Sequence, residues 1–178
     1  VQPALAPGAR GVVVVMAGAV HHPADVRKRH SYRVDAFDSG EAGPIACIEE
    51  GRPRMLRDWP HGAALGLDGV KRDPATWPRV DIVTSHAGAD GAMVRAMTAA
   101  GTRGIVVAGT GNGTVHQDLE AALREVQAQG VRILRATRCA EGGVVGKAAG
   151  ALPSAGTLSP VKARIELLLE LLSQPVGI

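Results

Sequence analysis

The stretch from Val80 to Gly113, VDIVTSHAGADGAMVRAMTAAGTRGIVVAGTGNG, decides how this chain folds. Its first five residues, Val80–Thr84, are rich in β-branched side chains and predict a strand. A second apolar run, Gly104–Ala108, is too short for a helix and predicts another strand. Between the two runs, apolar residues recur at helical spacing. The stretch therefore predicts a strand–helix–strand unit with parallel strands and a right-handed crossover.

The helix of this unit has recognisable ends. Asp90 stands where a helix N-cap residue is expected, and Gly101 stands where a C′ glycine in the left-handed conformation would close the helix. Between these two positions apolar side chains recur three and four residues apart, which predicts one buried face. These side chains are Met93, Val94, Met97 and Ala100.

The alternation of predicted strands and helices continues to the end of the chain. It predicts a second helix over 116–129, a third strand over Val131–Leu134, a short edge strand at Val144–Val145 and a last helix from Ser159 to about 173. The fold class expected for 80–178 is therefore α/β, a Rossmann-like domain with a mainly parallel sheet. The last helix is expected to be buried over a wide arc, which predicts self-association. This arc comprises Val161, Ile165, Leu168, Leu169 and Leu172, widened by Leu167 and Leu171.

The first part of the chain follows a different pattern. Gly11–Met16, with the sequence GVVVVM, predicts a fully buried central strand. Pro44–Glu49 and Pro53–Arg57 predict a hairpin whose turn is Glu50-Gly51, with the glycine at positive φ.

The composition narrows the class of protein. The chain has 178 residues, of which 46% are apolar but only 2% aromatic, so its core is built from Val, Ile, Leu and Ala, which suits parallel α/β layers. A net charge of +3 predicts no particular polyanionic partner. The most basic point is 27–29 (Arg-Lys-Arg) with Arg33. Because Tyr32 is its one aromatic neighbour, we expect ion pairs with Asp25 and Asp35 there rather than a nucleic-acid site.

Several common kinds of site are not predicted. The glycine-rich loop 109–113 lies between a strand and a helix, as phosphate loops do, but its spacing fits neither GxGxxG nor a Walker motif. A tight loop with closely packed backbones is expected, with nucleotide binding as the alternative. The histidines form no HExxH pair and the two cysteines lie far apart, so we expect no metal and no cofactor. No apolar run reaches the roughly 20 residues of a membrane span, so no membrane partner is expected, and the compartment is left open.

Two polar residues stand where an open α/β sheet places its ligands. His86 and Asp90 lie in the loop that follows the strand Val80–Thr84. Ligands of such sheets bind outside the carboxyl ends of the strands, so these side chains are candidate substrate contacts. The competing interpretation is ordinary loop polarity, with Asp90 acting as the helix N-cap.

Four blocks of the sequence resemble bacterial type II L-asparaginases of the asparaginase/glutaminase family. The blocks are GVVVVMAGAVHHPADVRK, VDAFDSGEAGPI, VDIV…GTRGIVVAGTGNG and SAGTLSPVKARIELLLELL, in the order and at about the spacing of the family. VAGTGNG and SPVKAR are the most specific parts. The resemblance covers nearly the whole chain from about Arg10. It implies a cofactor-independent amidohydrolase that converts L-asparagine to L-aspartate and ammonia, with L-glutamine as an alternative substrate.

The resemblance also implies a division of the chain. Family members have a large amino-terminal domain and a small carboxyl-terminal domain. Their catalytic threonines, with lysine and aspartate partners, lie in the large domain in motifs such as TGGTI and HGTDT. Neither motif occurs here, so no catalytic residue is expected in this chain. Residues 1–57 are expected to be a strand-and-hairpin remnant of the large domain, 58–79 a linker with little periodicity, and 80–178 the small domain.

In the family, the small domain also contributes to the active site of a partner subunit within a homodimer or homotetramer. The loop after its first strand usually supplies an asparagine, and the matching position here is Gly88. A second, acidic contact usually lies between the last strand and the last helix, where this chain has no acid after Glu141. His86, Gly88 and Asp90 are therefore the expected weak substrate contacts, and the preference between asparagine and glutamine is left open.

Two interpretations of function remain open at this point. The first is part of an asparaginase whose nucleophile lies upstream of Val1. The second is a non-catalytic small-molecule-binding or assembly domain that kept the fold and lost the chemistry. No Thr–Lys–Asp constellation is recognisable around the four lysines, which is compatible with both interpretations. The lysines are Lys28, Lys71, Lys147 and Lys162.

Overall fold

The chain forms two compact units, Val1–Ala64 and Leu65–Ile178. The structure is a computed structural model that describes residues 1–146 and 149–174. Lys147, one of the lysines considered above, lies outside the described residues. None of the described helices is long and apolar enough to cross a membrane.

The first unit contains a four-stranded antiparallel sheet and a two-stranded ribbon. Its elements are α1 (Gln2–Leu5), β1 (Val14–Met16), β2 (Ala19–His21), β3 (Arg27–Lys28), β4 (Phe37–Asp38), β5 (Ala46–Glu49) and β6 (Arg52–Met55). The sheet has the order β1-β2-β5-β6, and β3 pairs with β4 in the ribbon. A small core of Val20, Ile45 and Ala46 holds this unit together.

Both hairpins of this sheet turn through residues in the left-handed conformation. Ala17 and Gly18 have φ of 48° and 79°, and Glu50 and Gly51 have φ of 46° and 75°. Positive φ at both central positions is typical of the type I′ turn, whose twist matches that of the flanking strands. The predicted hairpin with its Glu50-Gly51 turn is thus confirmed.

The prediction of a buried central strand over Gly11–Met16 is wrong. Only Val14–Met16 is a strand, it lies at the edge of the sheet, and Val12 and Val15 are 71% and 46% exposed. The turn at 17–18 pairs β1 with β2, and no described strand pairs with its other edge. A run of valines alone does not reveal how many strands will flank it.

The basic cluster of the first unit forms ion pairs, as expected. Arg33 and Arg29 approach the carboxylate of Asp35 to 2.9 and 3.4 Å. Asp25, the other predicted partner, instead receives a hydrogen bond of 2.8 Å from Arg57.

A buried histidine joins β2 to the chain after β4. His21 is 4% exposed, and its Nδ1 lies 2.7 Å from the Oγ of Ser39. Its Nε2 has no hydrogen-bond partner in the part of the chain that the structure describes. Burial lowers the pKa of His21, and the charge of Asp38 opposes this effect only in part. The folded unit therefore favours the neutral imidazole.

The second unit is a parallel sheet with helices on both faces. Its elements are β7 (Arg79–Thr84), α2 (Ala92–Ala99), β8 (Thr102–Gly109), α3 (Gln117–Ala128), β9 (Arg132–Thr137) and α4 (Pro160–Ser173). The strands pair in parallel in the order β7-β8-β9. α2 and α3 share one buried cluster with the sheet, and α4 shares another. The predicted α/β class and the parallel strands are confirmed.

The helix ends follow the predicted signals closely. Gly101 has φ of 85° directly after the C-cap residue of α2, and Gly130 has φ of 96° after α3. The N-cap residue of α2 is Gly91 rather than Asp90. The Asp90 side chain nevertheless accepts a hydrogen bond of 2.9 Å from the Ala92 N–H, so it caps this helix from one residue earlier.

The buried face of α4 matches the predicted stripe only in part, since Leu168 and Leu172 are buried as predicted. Val161 and Ile165 are 64% and 49% exposed, whereas Ala163 and Leu167 are fully buried. The helix is apolar over so wide an arc that periodicity cannot choose between its two sides. Contact with the sheet determines which side is buried. A Cβ placed on Gly104 of β8 would lie 2.9 Å from the Cδ2 of Leu167, so Leu167 packs directly on the strand.

The predicted edge strand at Val144–Val145 does not form. The side chain of Asn112 takes up both backbone groups of Val145, because its Oδ1 accepts from the N–H at 2.7 Å and its Nδ2 donates to the carbonyl at 2.9 Å. Residues 153–155 lie beside β9 instead, and bond to the backbone of Arg135 at 2.7 and 2.9 Å.

The second half of the predicted linker 58–79 packs against α4. A Cβ placed on Gly69 would lie 2.7 Å from the carbonyl oxygen of Leu172, and Arg72 donates to the same oxygen at 3.0 Å. Trp77 donates through Nε1 to the Arg72 carbonyl at 3.1 Å. The division into 1–57, 58–79 and 80–178 stays a prediction, although the boundary at Ala64 lies inside the predicted linker.

The face assigned to α4 is testable with two truncations. Leu167→Ala removes a fully buried side chain and leaves a cavity, so it is expected to lower the free energy of unfolding of the second unit by about 3 kcal/mol. Ile165→Ala is the matched control and is expected to cost less than about 1 kcal/mol, because this residue is exposed. Trp77 belongs to the same cluster as Leu167 and reports unfolding by fluorescence in a Trp59→Phe background. Equal losses in the two variants would contradict the assigned face.

The first unit is expected to lose stability in mild acid. Because the pKa of His21 is lowered by folding from the ordinary value of 6.5, the unfolded chain binds a proton more readily than the folded unit. The contribution of His21 to the free energy of unfolding is therefore full above this value and is lost as the pH falls below it. Each pH unit between the folded and unfolded pKa values is worth about 1.4 kcal/mol.

This pH dependence is measured by urea unfolding between pH 7.5 and 5, roughly spanning the ordinary imidazole pKa. Trp59 reports on the first unit in a Trp77→Phe background. His21→Asn is expected to flatten the dependence, and the control His61→Asn, at an exposed position, is expected to preserve it. A dependence that persists in His21→Asn would assign it to another group.

Candidate functional site

The carboxyl ends of the three parallel strands meet at one edge of the second unit. Three loops leave the sheet there: 85–91 after β7, 110–116 after β8, and the chain from 138 onward after β9. Side chains from different parts of the sequence meet at such an edge, and open α/β sheets bind their ligands there.

The three predicted contacts lie together at this edge. An open depression of about 500 Å³ contains His86, Gly88 and Asp90 in its lining. The rest of the lining is mostly apolar and comes from β7, α2 and α3. Its members are Ile82, Val83, Thr84, Ala89, Ala92, Met93, Met97 and Leu119.

The His86 and Asp90 side chains of the depression are exposed and can contact a ligand. His86 is exposed, and its Nδ1 lies 2.9 Å from the carbonyl oxygen of Ala87. Asp90 is exposed, and Oδ1 is the oxygen that accepts the capping hydrogen bond from Ala92. A carboxylate has a second oxygen, and among the described residues no hydrogen bond to that oxygen of Asp90 is formed, so it can accept from a ligand. The capping role expected of Asp90 and a ligand contact are thus compatible.

Gly88 leaves an opening in the wall of the depression. Its φ is 74°, and a Cβ built on it would meet no heavy atom within 4 Å. It occupies a turn closed by a hydrogen bond of 3.1 Å from the Ala89 N–H to the His86 carbonyl. A side chain at this position would therefore project into open space, at the backbone cost of positive φ.

Hydrogen bonds between side chains and backbone tie the three loops together. The Oγ of Ser85 accepts from the His116 N–H at 2.9 Å, and the hydroxyl of Thr137 donates to the Gly111 carbonyl. Asn112 fixes the third loop through Val145 as described above. Sequence patterns gave no signal for Ser85 or Thr137, because hydroxyl residues at strand ends are common and their partners are distant in sequence.

The glycine-rich loop 109–113 is the tight loop that was predicted. Thr110 and Thr114 exchange backbone hydrogen bonds of 3.0 and 2.7 Å, and a Cβ on Gly109 would lie 2.7 Å from the carbonyl carbon of Gly113. The loop therefore uses backbone N–H groups to close on itself. A phosphate cradle needs such groups free and pointing at the ligand, so this geometry disfavours nucleotide binding.

One threonine of the second unit donates to an aspartate, but it lies away from the depression. Thr102 donates to Asp81, which also receives a hydrogen bond of 2.7 Å from Arg79. Burial raises the pKa of Asp81, and the hydrogen bonds from Arg79 and Thr102, with the charge of Arg164, outweigh it and lower the pKa overall. Thr102 is buried at the amino-terminal end of β8, at the opposite end of the strand from the loops that form the depression, and its partner Asp81 is paired with Arg79.

A metal site is not formed by the described residues, among which no three His, Cys, Asp or Glu side chains are placed to share an ion.

Two family models match the chain in succession. Residues 79–175 match the glutaminase/asparaginase C-terminal domain, and residues 1–61 match the asparaginase N-terminal domain. The L-asparaginase 2 of Escherichia coli is 32% identical over 169 residues, which cover 91% of this chain and 48% of that protein. A glutaminase-asparaginase of Pseudomonas fluorescens is 30% identical over 136 residues, covering 76% of this chain and 37% of that protein.

The solved structures lead to the same group of proteins. The crystal structure of a probable cytoplasmic L-asparaginase from Campylobacter jejuni superposes with a TM-score of 0.84 at 28% sequence identity. The superposition covers 98% of this chain and 58% of that one. The chain thus spans about half or less of the length of these curated relatives.

Proposed function

The chain belongs to the asparaginase/glutaminase family, and we propose that it serves in an amidohydrolase that converts L-asparagine to L-aspartate and ammonia. L-Glutamine is the second candidate substrate. The observation that carries the proposal is the succession of the two family matches, over 1–61 and 79–175, along one chain.

The proposed division of labour follows from what amide hydrolysis requires. The reaction needs an activated nucleophile, a proton carrier and donors for the oxyanion, all held in one place. Motifs such as TGGTI and HGTDT, in which the resemblance places the nucleophilic threonines, do not occur in these 178 residues. We therefore assign no catalytic residue to this chain and give the loop 85–90 a substrate-binding role.

The loop 85–90 is proposed to complete the active site of a neighbouring copy in a homodimer or homotetramer. An amino-acid amide carries an ammonium and a carboxylate, which pair with side chains of opposite charge. The free oxygen of Asp90 suits the ammonium, and the imidazole of His86 suits a polar group beside it.

The activity is tested by ammonia release from L-asparagine and L-glutamine. We expect the 178-residue chain alone to show no useful turnover, because losing a nucleophile unit removes about 10⁴- to 10⁶-fold in rate. Co-expression with a segment that carries the TGGTI and HGTDT motifs is expected to restore it. Turnover by the chain alone would contradict the placement of the nucleophile. Asparagine binding without turnover, even with that segment present, would favour a non-catalytic binding domain.

Gly88 offers a test of the substrate-binding role. Gly88→Asn places a carboxamide in the opening of the depression, and Asn tolerates the left-handed backbone better than most residues. A new hydrogen bond to the substrate is worth about 1.4 kcal/mol, so in the protein that also carries the amino-terminal motifs the KM for asparagine is expected to fall about tenfold with kcat little changed. Gly88→Ala is the matched control, because it adds a Cβ at the same φ without the carboxamide. If both variants change KM equally, the carboxamide is not responsible.

A further inference from the structure

We infer that Ser85 is a positioning residue, which fixes the loop 85–90 on helix α3 and so sets the affinity of the proposed substrate site. This inference rests on the proposed function, since it concerns the loop to which substrate contacts were assigned. Ser85 touches no proposed substrate atom and acts through His86 and Asp90.

Ser85 is built into the carboxyl end of β7. It is 3% exposed, and its N–H continues the strand by donating to the Ala108 carbonyl at 3.0 Å. Its Oγ accepts from the backbone N–H of His116 at 2.9 Å. His116 is the N-cap residue of α3, and an N-cap N–H has no acceptor within its own helix. The hydroxyl of Ser85 therefore supplies the partner that this N–H would otherwise lack.

The other end of the loop is anchored on the same helix. A Cβ placed on Gly91 would lie 2.6 Å from the Cβ of Ala122, so the backbone at Gly91 lies against α3. Between the two anchors, Leu119 of α3 lines the depression. His116, Leu119 and Ala122 are three residues apart and follow one face of the helix. The loop thus runs along α3, bonded at Ser85 and packed at Gly91.

The chain between the anchors has little freedom of its own. The turn from His86 to Ala89 is closed by a backbone hydrogen bond, Ala89 is 5% exposed, and Asp90 is bonded to Ala92. The positions of the imidazole and the carboxylate are then set by where the two ends of the loop are held. At Gly91 the contact with α3 is backbone packing, whereas at Ser85 the link to α3 is the one hydroxyl, added to the backbone bond that joins Ser85 to β8.

Removal of that hydroxyl has a distinctive expected effect. Ser85→Ala removes the acceptor of the His116 N–H and so breaks the bond between the loop and α3, while the Ser85 N–H still donates to the Ala108 carbonyl. Substrate contacts are then weakened equally in the ground state and the transition state, so KM should rise about tenfold while kcat stays within about twofold. Ser85→Thr keeps the hydroxyl and is expected to restore KM to within about threefold.

Ser39→Ala is the matched control. Ser39 is also a buried serine, 5% exposed, and its hydroxyl also forms a hydrogen bond, at 2.7 Å with His21 in the first unit. Its loss imposes a comparable structural cost and is expected to leave KM unchanged. Hydrogen–deuterium exchange of peptides covering 85–91 and 114–119 gives a readout independent of activity, and should accelerate in Ser85→Ala only.

The experiment uses the protein that carries the amino-terminal motifs and these 178 residues together, with L-asparagine as the probe. A raised KM with preserved kcat in Ser85→Ala, reversed in Ser85→Thr, supports the inference. A lowered kcat at unchanged KM is the signature of lost folded enzyme and overturns it. If the unmodified protein hydrolyses neither amide, the proposed function fails. Hydrogen–deuterium exchange then tests the positioning role of Ser85 by itself. Unchanged exchange over both peptides in Ser85→Ala overturns that role.

Discussion

The parallel pairing of β8 with a strand on each side is the constraint on which the second unit depends. Its residues bond to β7 on one edge and β9 on the other, so the backbone of the central strand is held along its length. Its side chains alternate between the two helical layers, with Ile105 and Val107 in the cluster of α2 and α3 and Val106 in the cluster of α4. All three are fully buried. Because the strands are parallel, their carboxyl ends reach one edge, and the three loops meet there.

Helix α3 connects the packing of the sheet with the position of the candidate site. It packs on the sheet through Leu119, Ala122, Leu123 and Val126, and the first two of these also lie beside the loop after β7. One face of α3 therefore contacts both the core and the loop after β7. The depression and the core are built on the same residues, so the position of the candidate substrate contacts depends on packing that also stabilises the unit.

Much of the second unit could be predicted because its signals are local. The strand–helix–strand pattern of Val80–Gly113 needs only periodicity, and its end signals at Asp90 and Gly101 act within a turn of the helix. The predictions that failed depended on distant contacts. Whether β1 has a second neighbour depends on a strand distant in sequence, and the close approach at Gly104 determines which side of α4 is buried.

The candidate site shows the same division. His86 and Asp90 could be placed together because they follow one strand and the rule for parallel sheets is general, whereas Gly88 was added by the family resemblance. Their role in substrate binding stays a prediction. Ser85 was missed because its partner, His116, is 31 residues away, and a serine at a strand end follows no pattern. The strand predicted at Val144–Val145 does not form because the backbone groups of Val145 bond to the side chain of Asn112. Hydropathy gives no signal of such a contact.

The two anchors on α3 also bear on how this loop can evolve. Both ends of 85–91 are tied to a helix whose residues have fixed spacing, so the number of residues between them is matched to the distance along α3 from His116 to Ala122. An inserted or deleted residue would disturb both anchors at once. The exposed side chain of His86 carries no such burden, whereas exchanges at Gly88 and Asp90 also meet the positive φ of the one and the capping role of the other. Divergence in this loop is therefore expected to proceed by substitution at constant length, which would allow substrate preference to change while the architecture around it persists.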